Sequence, residues 1–355
     1  MRARSLKITN KFTFALTKLM SLGYRASLPF CLWFLLPFSW LFACIVISRH
    51  FLYQQGWLRS KKFSVPVIIV GNITVGGTGK TPFVIWLAQW LRAQGYHPGI
   101  ISRGVGGKQP RIPQQINVAD HPGEVGDEAL LLAQQSGCPV VICRNKVAAV
   151  ERLLAQTDGL INVVISDDGL QHYRLQRDIE IAIIDGVRGF GNQQLLPAGP
   201  LREPLRRLQQ VDMVVTNGES TTAYPGSFLM QYFAHEFVSL VTNEKISFAA
   251  FAAFLNVNGH ANNTVHAVAG IGHPERFFLQ LRQAGLVVVP HVFPDHHLYQ
   301  PQDLAFQDRL PIIMTEKDAV KCTAFADERY WYMPVQAQVS EICQQVLLEK
   351  LAVLG

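Results

Sequence analysis

The run Gly71-Asn-Ile-Thr-Val-Gly-Gly-Thr-Gly-Lys-Thr81 carries the strongest chemical signal in the chain. Glycines at 76, 77 and 79 let backbone N–H groups turn around phosphate oxygens, and a helix start beyond them adds about half a positive charge. Lys80 is long enough to reach the β- and γ-phosphates of a nucleotide, and the Thr81 hydroxyl suits Mg²⁺. Thr74, Val75, Gly76, Gly77, Thr78, Gly79, Lys80 and Thr81 therefore read as a nucleotide-binding loop. The general pattern of such loops has glycine where this chain has Thr74.

A second signal closes the apolar run Leu160-Ile-Asn-Val-Val-Ile-Ser-Asp-Asp-Gly169. Asp167 and Asp168 at the end of a buried strand suit Mg²⁺ or its waters beside the phosphates, although Asp-Asp-Gly also makes an ordinary turn. Asp127 and Glu128 open a predicted helix, where acids are favoured for the helix dipole alone, or serve catalysis. His273, in Gly-Ile-Gly-His-Pro, lies in a strand-end loop of the kind that meets ligands in α/β sheets. Arg202 and Glu203 sit in the proline-rich run Pro197-Ala-Gly-Pro-Leu-Arg-Glu-Pro204. An arginine there either grips phosphate in two-pronged fashion or is a solvated loop charge. Thr315-Glu-Lys-Asp318 is near the guanine-reading motif of GTPases but lacks its Asn and displaces its Lys, so it reads as a helix start.

These residues need elements to hold them. Residues 65–71 form a continuous apolar run, the mark of a parallel strand covered on both faces, and lead directly into the loop. A helix is predicted over 81–94, with Pro82 tolerated in its first turn and Gly95 ending it. Further strands are predicted at 97–102, 140–143, 160–166, 179–185 and 211–216, with helices at 127–135 and 146–155. Alternation of this kind implies a parallel sheet with helices on both faces. The pattern loosens over 220–237 and resumes with strands at 265–270, 286–291 and 311–315 and helices at 274–284, 317–325 and 340–353. The predicted organisation is a basic leader (1–26), an apolar membrane-associated helix (27–50), a P-loop kinase domain (51–222) and a second, smaller α/β domain (223–355).

Hydrophobic residues make up 49% of the 355 and charged ones 16%, against about 25% charged in ordinary soluble domains. Residues 1–119 hold 15 Lys/Arg and no acid, whereas the remainder holds 17 basic and 26 acidic residues. That polarity suits an anionic partner. No recognition-helix, zinc-finger or RNP-like signature accompanies it, so nucleic acid is not expected. The 22 uncharged residues 27–48, flanked by basic residues on both sides and interrupted by Pro37, are long enough to cross a bilayer or to lie in one leaflet. An unusually apolar core helix is the other reading of that run. The six cysteines lack metal or disulfide spacing and read as reduced and buried.

Taken in order, Gly71–Pro82, Ser102-Arg-Gly104, Gly126-Asp-Glu128, Asp167-Asp-Gly-Leu-Gln-His172, Pro197-Ala-Gly-Pro-Leu-Arg-Glu203, Gly272-His-Pro274 and Thr315-Glu-Lys-Asp-Ala-Val-Lys321 resemble the lipid A 4′-kinases, or tetraacyldisaccharide 4′-kinases. Thr74 in the loop looks typical of that family. The resemblance implies ATP-dependent phosphorylation of the 4′-hydroxyl of a tetraacylated glucosamine disaccharide 1-phosphate at the cytoplasmic face of the inner membrane. It implies two α/β/α domains joined by a two-stranded linker, with the site in the cleft between them. It also implies Asp127 as base paired with His273, and Asp167 and Asp168 serving Mg²⁺. Two other classes share the nucleotide loop: a membrane-linked NTPase switch without a lipid acceptor, and a non-enzymatic nucleotide-binding scaffold. Phosphate appearing on a lipid separates both from a kinase.

Overall fold

The computed structural model describes residues 22–157, 159–218, 224–257 and 261–354. Most of the basic leader, including Arg2, Arg4, Lys7, Lys11 and Lys18, lies outside the described residues, as does the expected domain boundary at 222/223. By contact density the chain forms two compact units, each discontinuous in sequence: residues 1–79, 168–230 and 339–355, and residues 80–167 and 231–338.

In the first unit, Val67–Gly71, Ile179–Asp185 and Met213–Asn217 run parallel, in the register Ile68↔Ile179 and Ile181↔Met213, and Phe228 continues the set beside Val215. All three strands are buried along their whole length, as continuous apolar runs require. The apolar N-terminal run divides into a 3-10 stretch, Phe30–Leu35, and an α-helix, Leu36–Gln54. Pro37 falls in the first turn of the α-helix, where its missing N–H leaves no hydrogen bond unmade. Ser39 is buried on this helix and accepts the Ala198 N–H at 2.9 Å, while His50 and Tyr53 lie against the Tyr173 ring. Phe34, Phe38, Trp40, Leu41, Ile45 and Phe51 are exposed. Cys31 and Cys44, expected to be buried, are exposed on the same run, whereas the other four cysteines are buried and free. The cause is the helix itself, whose apolar surface largely faces outward rather than into a core.

In the second unit the helix Lys80–Ala93 follows the glycine-rich loop without a break. Pro98–Ser102 lies between Val163–Asp167 and Val140–Ile142, all parallel, and Gln114–Gln115 adds an antiparallel edge. Gly99 allows the helix Lys146–Gln156 to press Leu153 onto the strand, because a Cβ there would come within 2.6 Å of a Leu153 methyl. A separate six-stranded sheet follows, in the order Lys245–Ser247, Glu236–Ser239, Tyr330–Met333, Ile312–Thr315, Thr264–Ala269, Val287–Val292. Its last four strands are parallel and the first two antiparallel. Helices Phe248–Val257 and Pro274–Gln283 bury Phe251, Phe277, Phe278 and Leu281 against Ile313, Trp331 and Met333. Parallel sheets with interleaved helices make the fold mixed α/β. The helix expected over 317–325 is a short α-turn, Glu316–Ala319, whose start Thr315 caps by accepting the Asp318 N–H at 3.2 Å.

Candidate active site

Each group of candidate residues is fixed by its own local scaffold. In the first unit Gly71 ends a buried strand, and the chain turns through Gly76 and Gly79, whose φ values of 89° and 94° are left-handed. Asn72 is 1% exposed and donates to the Thr78 hydroxyl at 3.3 Å, bracing the loop across its width. Val75 donates its N–H to the Pro200 carbonyl at 2.9 Å, and Thr74 bridges to Leu201, so the proline-rich run lies along the loop. In that extended segment successive side chains point to opposite sides. Arg202 accordingly reaches Asn72 Oδ1 and Asp168 Oδ1, each at 3.1 Å. Glu203 turns inward to 2% exposure, accepting from Gln171 at 2.8 Å and Tyr173 at 2.6 Å, with the Arg207 guanidinium 3.4 Å away. Arg202 and Asp168 thus stand together beside the loop, while Glu203 is a buried tie. Asp168 has φ of 48°, a strained value for a non-glycine residue and a common mark of functional positions.

Asp167 belongs to the second unit and is held differently. Its carboxylate accepts from the Ser102 hydroxyl at 2.9 Å, and its backbone carbonyl accepts from the buried Lys146 ammonium. Among the described residues no three His, Cys, Asp or Glu side chains gather in a metal-holding group. Mg²⁺ typically takes one or two carboxylates and completes its shell with phosphate oxygens and water. Thr81 and Asp167 in the second unit, and Asp168 in the first, each offer oxygen donors of the kind such an ion takes.

The second unit also holds a dense charge cluster around Asp127. This residue is 2% exposed at the start of the helix Asp127–Ser136. Its carboxylate lies 2.8 and 3.0 Å from Nδ1 of His296 and accepts the Glu128 N–H at 2.9 Å. Lys321 Nζ stands 3.6 Å from it and Lys317 Nζ 3.9 Å. Lys317 also binds Glu128 at 2.8 Å and Asp295 at 2.9 Å, while Lys321 binds Asp318 at 2.7 Å. Asp318 in turn accepts from the Gly270 N–H and the Thr315 hydroxyl, at 2.8 and 2.6 Å. Burial would raise the Asp127 pKa, but the His296 hydrogen bond and the charges of Lys317, His296 and Lys321 outweigh it and hold the group at about 2. The same hydrogen bond raises His296 against the opposing effect of its burial. Lys317 is likewise pushed up, because Glu128, Asp127 and Asp295 overcome its desolvation.

The imidazole on Asp127 is therefore that of His296, in Phe293-Pro-Asp-His-His297, and not that of His273 as the family resemblance led us to expect. His273 stands at the N-terminal end of the helix Pro274–Gln283 with its Nδ1 buried and unbonded. The run Thr315–Lys321, read from sequence as a helix start only, supplies both lysines of the cluster. Their spacing of four residues spans the short helix Glu316–Ala319 and the turn after it, and is the sequence feature that marks them as a pair.

With this geometry in place, comparison with known proteins is specific. Residues 31–352 match the family model described as tetraacyldisaccharide-1-P 4′-kinase. The tetraacyldisaccharide 4′-kinase of Nitrosococcus oceani is 49% identical over 327 residues, covering 90% of this chain and 93% of the relative. That of Methylobacillus flagellatus is 51% identical over 315 residues, covering 89% and 90%. Among solved structures, LpxK from Aquifex aeolicus in complex with ATP superposes with a TM-score of 0.73 at 28% identity, covering 89% of this chain and 98% of its own.

Proposed function

We propose a residue-level mechanism on the premise that the chain belongs to the tetraacyldisaccharide-1-P 4′-kinase family, enzymes that move the γ-phosphate of ATP to the 4′-hydroxyl of a tetraacylated glucosamine disaccharide 1-phosphate in lipid A biosynthesis. In that reaction a bond forms between the sugar 4′-oxygen and Pγ as the bond from Pγ to the β–γ bridging oxygen breaks. The electron pair leaves with ADP, and the hydroxyl proton must go to a base. A sugar hydroxyl is a poor nucleophile, so that base must come within about 3 Å of it. Asp127 takes the role, oriented by His296; the two-oxygen hydrogen bond between them is the observation that carries the assignment. A strongly acidic carboxylate is adequate because phosphoryl transfer is loose and the hydroxyl surrenders its proton late.

The loop 74–79 with Lys80 binds the triphosphate, and Arg202 neutralises charge on the transferring group. Thr81, Asp167 and Asp168 are the residues that would hold Mg²⁺, which would offset the negative charge of the phosphates. Arg202 pairs with Asp168 at 3.1 Å, which fixes its guanidinium beside the loop.

Tetraacylated substrate cannot leave lipid cheaply, at about 0.8 kcal/mol for each exposed CH₂. The enzyme accordingly works at the cytoplasmic surface of the inner membrane, seated by the apolar helix, by Arg49 within its last turns and by Arg59, Lys61 and Lys62 that follow it. Introducing Asp at Phe38, Leu41 and Ile45, which are 60%, 61% and 56% exposed, is expected to move the protein from the membrane to the soluble fraction. Phosphorylation of substrate dispersed in detergent should persist. Undiminished membrane binding in fractionation would place the anchor elsewhere.

Labelled ATP supplied with a mixed glycolipid extract tests the whole reading. Label is expected on one lipid alone, the tetraacylated disaccharide 1-phosphate. Label appearing only as inorganic phosphate would instead support the nucleotide-switch alternative, which the acceptor-specific relatives do not favour.

A further inference from the structure

Four successive carbonyls of the glycine-rich loop each meet a side-chain donor within the first unit. The Val75 carbonyl accepts from the Tyr24 hydroxyl, that of Gly76 from Asn72 Nδ2 at 3.4 Å, that of Gly77 from the Arg188 guanidinium, and that of Thr78 from Asn217 Nδ2 at 3.1 Å. In a planar trans peptide the carbonyl of one residue points opposite to the N–H of the next. Holding these carbonyls to side chains therefore turns the N–H groups of Gly76, Gly77, Thr78 and Gly79 away from those side chains, as donors for an anion. A glycine-rich loop has the conformational freedom to flip such peptides, so something must choose the orientation.

Asn72 and Asn217 sit at strand ends flanking the loop, but Tyr24 and Arg188 come from remote segments and their presence there needs a reason. Arg188 is itself anchored: its Nε donates to Asp185 at 2.8 Å, and Asp185 Oδ1 accepts the N–H groups of Val187 and Arg188 at 3.0 and 3.1 Å. Its guanidinium lies 4.8 Å from the centre of the Tyr24 ring. Tyr24 is held in its turn by the Gly23 carbonyl, which accepts the Asn192 N–H at 3.0 Å. Gly191 permits that approach: its φ is 55°, and a Cβ there would stand 2.4 Å from the Gly23 oxygen.

We propose that Tyr24 and Arg188 are positioning residues for nucleotide binding, a clamp that fixes the phosphate loop from its outer side. The clamp rests on the reading of residues 74–79 as the triphosphate site, and Tyr24 ties that site to the segment leading into the apolar helix. Both act on the nucleotide through the peptides they hold.

Tyr24→Phe removes one hydroxyl, and Arg188→Gln removes the charged fork. Binding of a non-hydrolysable ATP analogue by calorimetry, together with steady-state kinetics in detergent, separates the outcomes. Tyr24→Phe is expected to raise Kd and KM for ATP by about fivefold, the size of one net hydrogen bond, and Arg188→Gln by about tenfold or more. The kcat and the KM for the lipid acceptor should stay within about twofold of the unsubstituted enzyme. Arg188→Lys, which keeps the charge and one donor, should recover part of the loss. A residue that merely supports the fold would lower thermal stability and shift both KM values together, which would overturn the clamp. So would unchanged nucleotide affinity in both variants, or a fall in kcat alone for Arg188→Gln, which would put its guanidinium on the transferring phosphoryl group. Failure of the unsubstituted protein to bind the analogue would instead remove the nucleotide reading beneath.

Discussion

Replacing Asp127 with Asn is expected to cut phosphate transfer to the lipid about 10³-fold while nucleotide binding persists, since a positioned base contributes roughly 10²- to 10⁴-fold. The substitution keeps the shape of the side chain and an oxygen for the Glu128 N–H, but removes the site that receives the proton. The fold should survive it. Lys321 retains Asp318 at 2.7 Å, and Lys317 retains Glu128 and Asp295 at 2.8 and 2.9 Å, so neither ammonium is left buried without a counter-charge. Turnover of Asp127→Asn within tenfold of the unsubstituted enzyme would refute the assignment.

His296 gives the same site a pH signature. With its pKa depressed to about 2, Asp127 stays ionised throughout the working range and contributes stability above its ordinary 3.8 that is lost only as pH falls through about 2. The rate should therefore show no acid limb from Asp127 near neutrality. His296→Ala removes the strongest of the influences holding the carboxyl down and leaves its burial less opposed. The acid limb of kcat should then climb toward neutral pH, on top of a drop in rate. An acid side identical in both proteins would mean that His296 does not set the state of Asp127.

The scaffold of this site was far more legible in the sequence than its contacts. Strands such as Val67–Gly71 and Val163–Asp167 announce themselves because a parallel strand covered on both faces must be apolar at every position. The glycine-rich loop is equally plain, since its backbone needs φ values few other residues adopt. Which histidine meets Asp127 is a different kind of fact. Thr264–Ala269 and Val287–Val292 pair in parallel, Thr264 beside Val287, so the loops that follow them emerge at the same sheet edge. His273 lies in one loop and His296 in the other. Both satisfy every local rule, and only the three-dimensional path of each loop decides between them. Arg202 and Glu203 make the same point at shorter range: one residue apart, one faces Asp168 and the other is buried against Tyr173, because an extended chain alternates its sides.

Lys80→Ala is the second large effect, and it differs in kind from the loss of the base. Backbone N–H groups grip phosphate through dipoles, whereas Lys80 brings a full charge from the first position of the helix Lys80–Ala93. As negative charge on the γ-phosphoryl oxygens and the departing ADP shifts during transfer, a fixed ammonium stabilises the transition state more than the ground state. Its removal should therefore raise KM for ATP about tenfold and lower kcat by about 10²- to 10³-fold, the cost of deleting one preorganised donor to a developing charge. Lys80→Arg should restore binding more than turnover, because a planar fork keeps the charge but not its compact placement. Single-turnover transfer from enzyme saturated with ATP separates the two parts. A Lys80→Ala enzyme whose only defect disappears at saturating ATP would show that the ammonium holds substrate without assisting the chemistry, and one with near-normal turnover at all ATP concentrations would take Lys80 out of the phosphate site altogether.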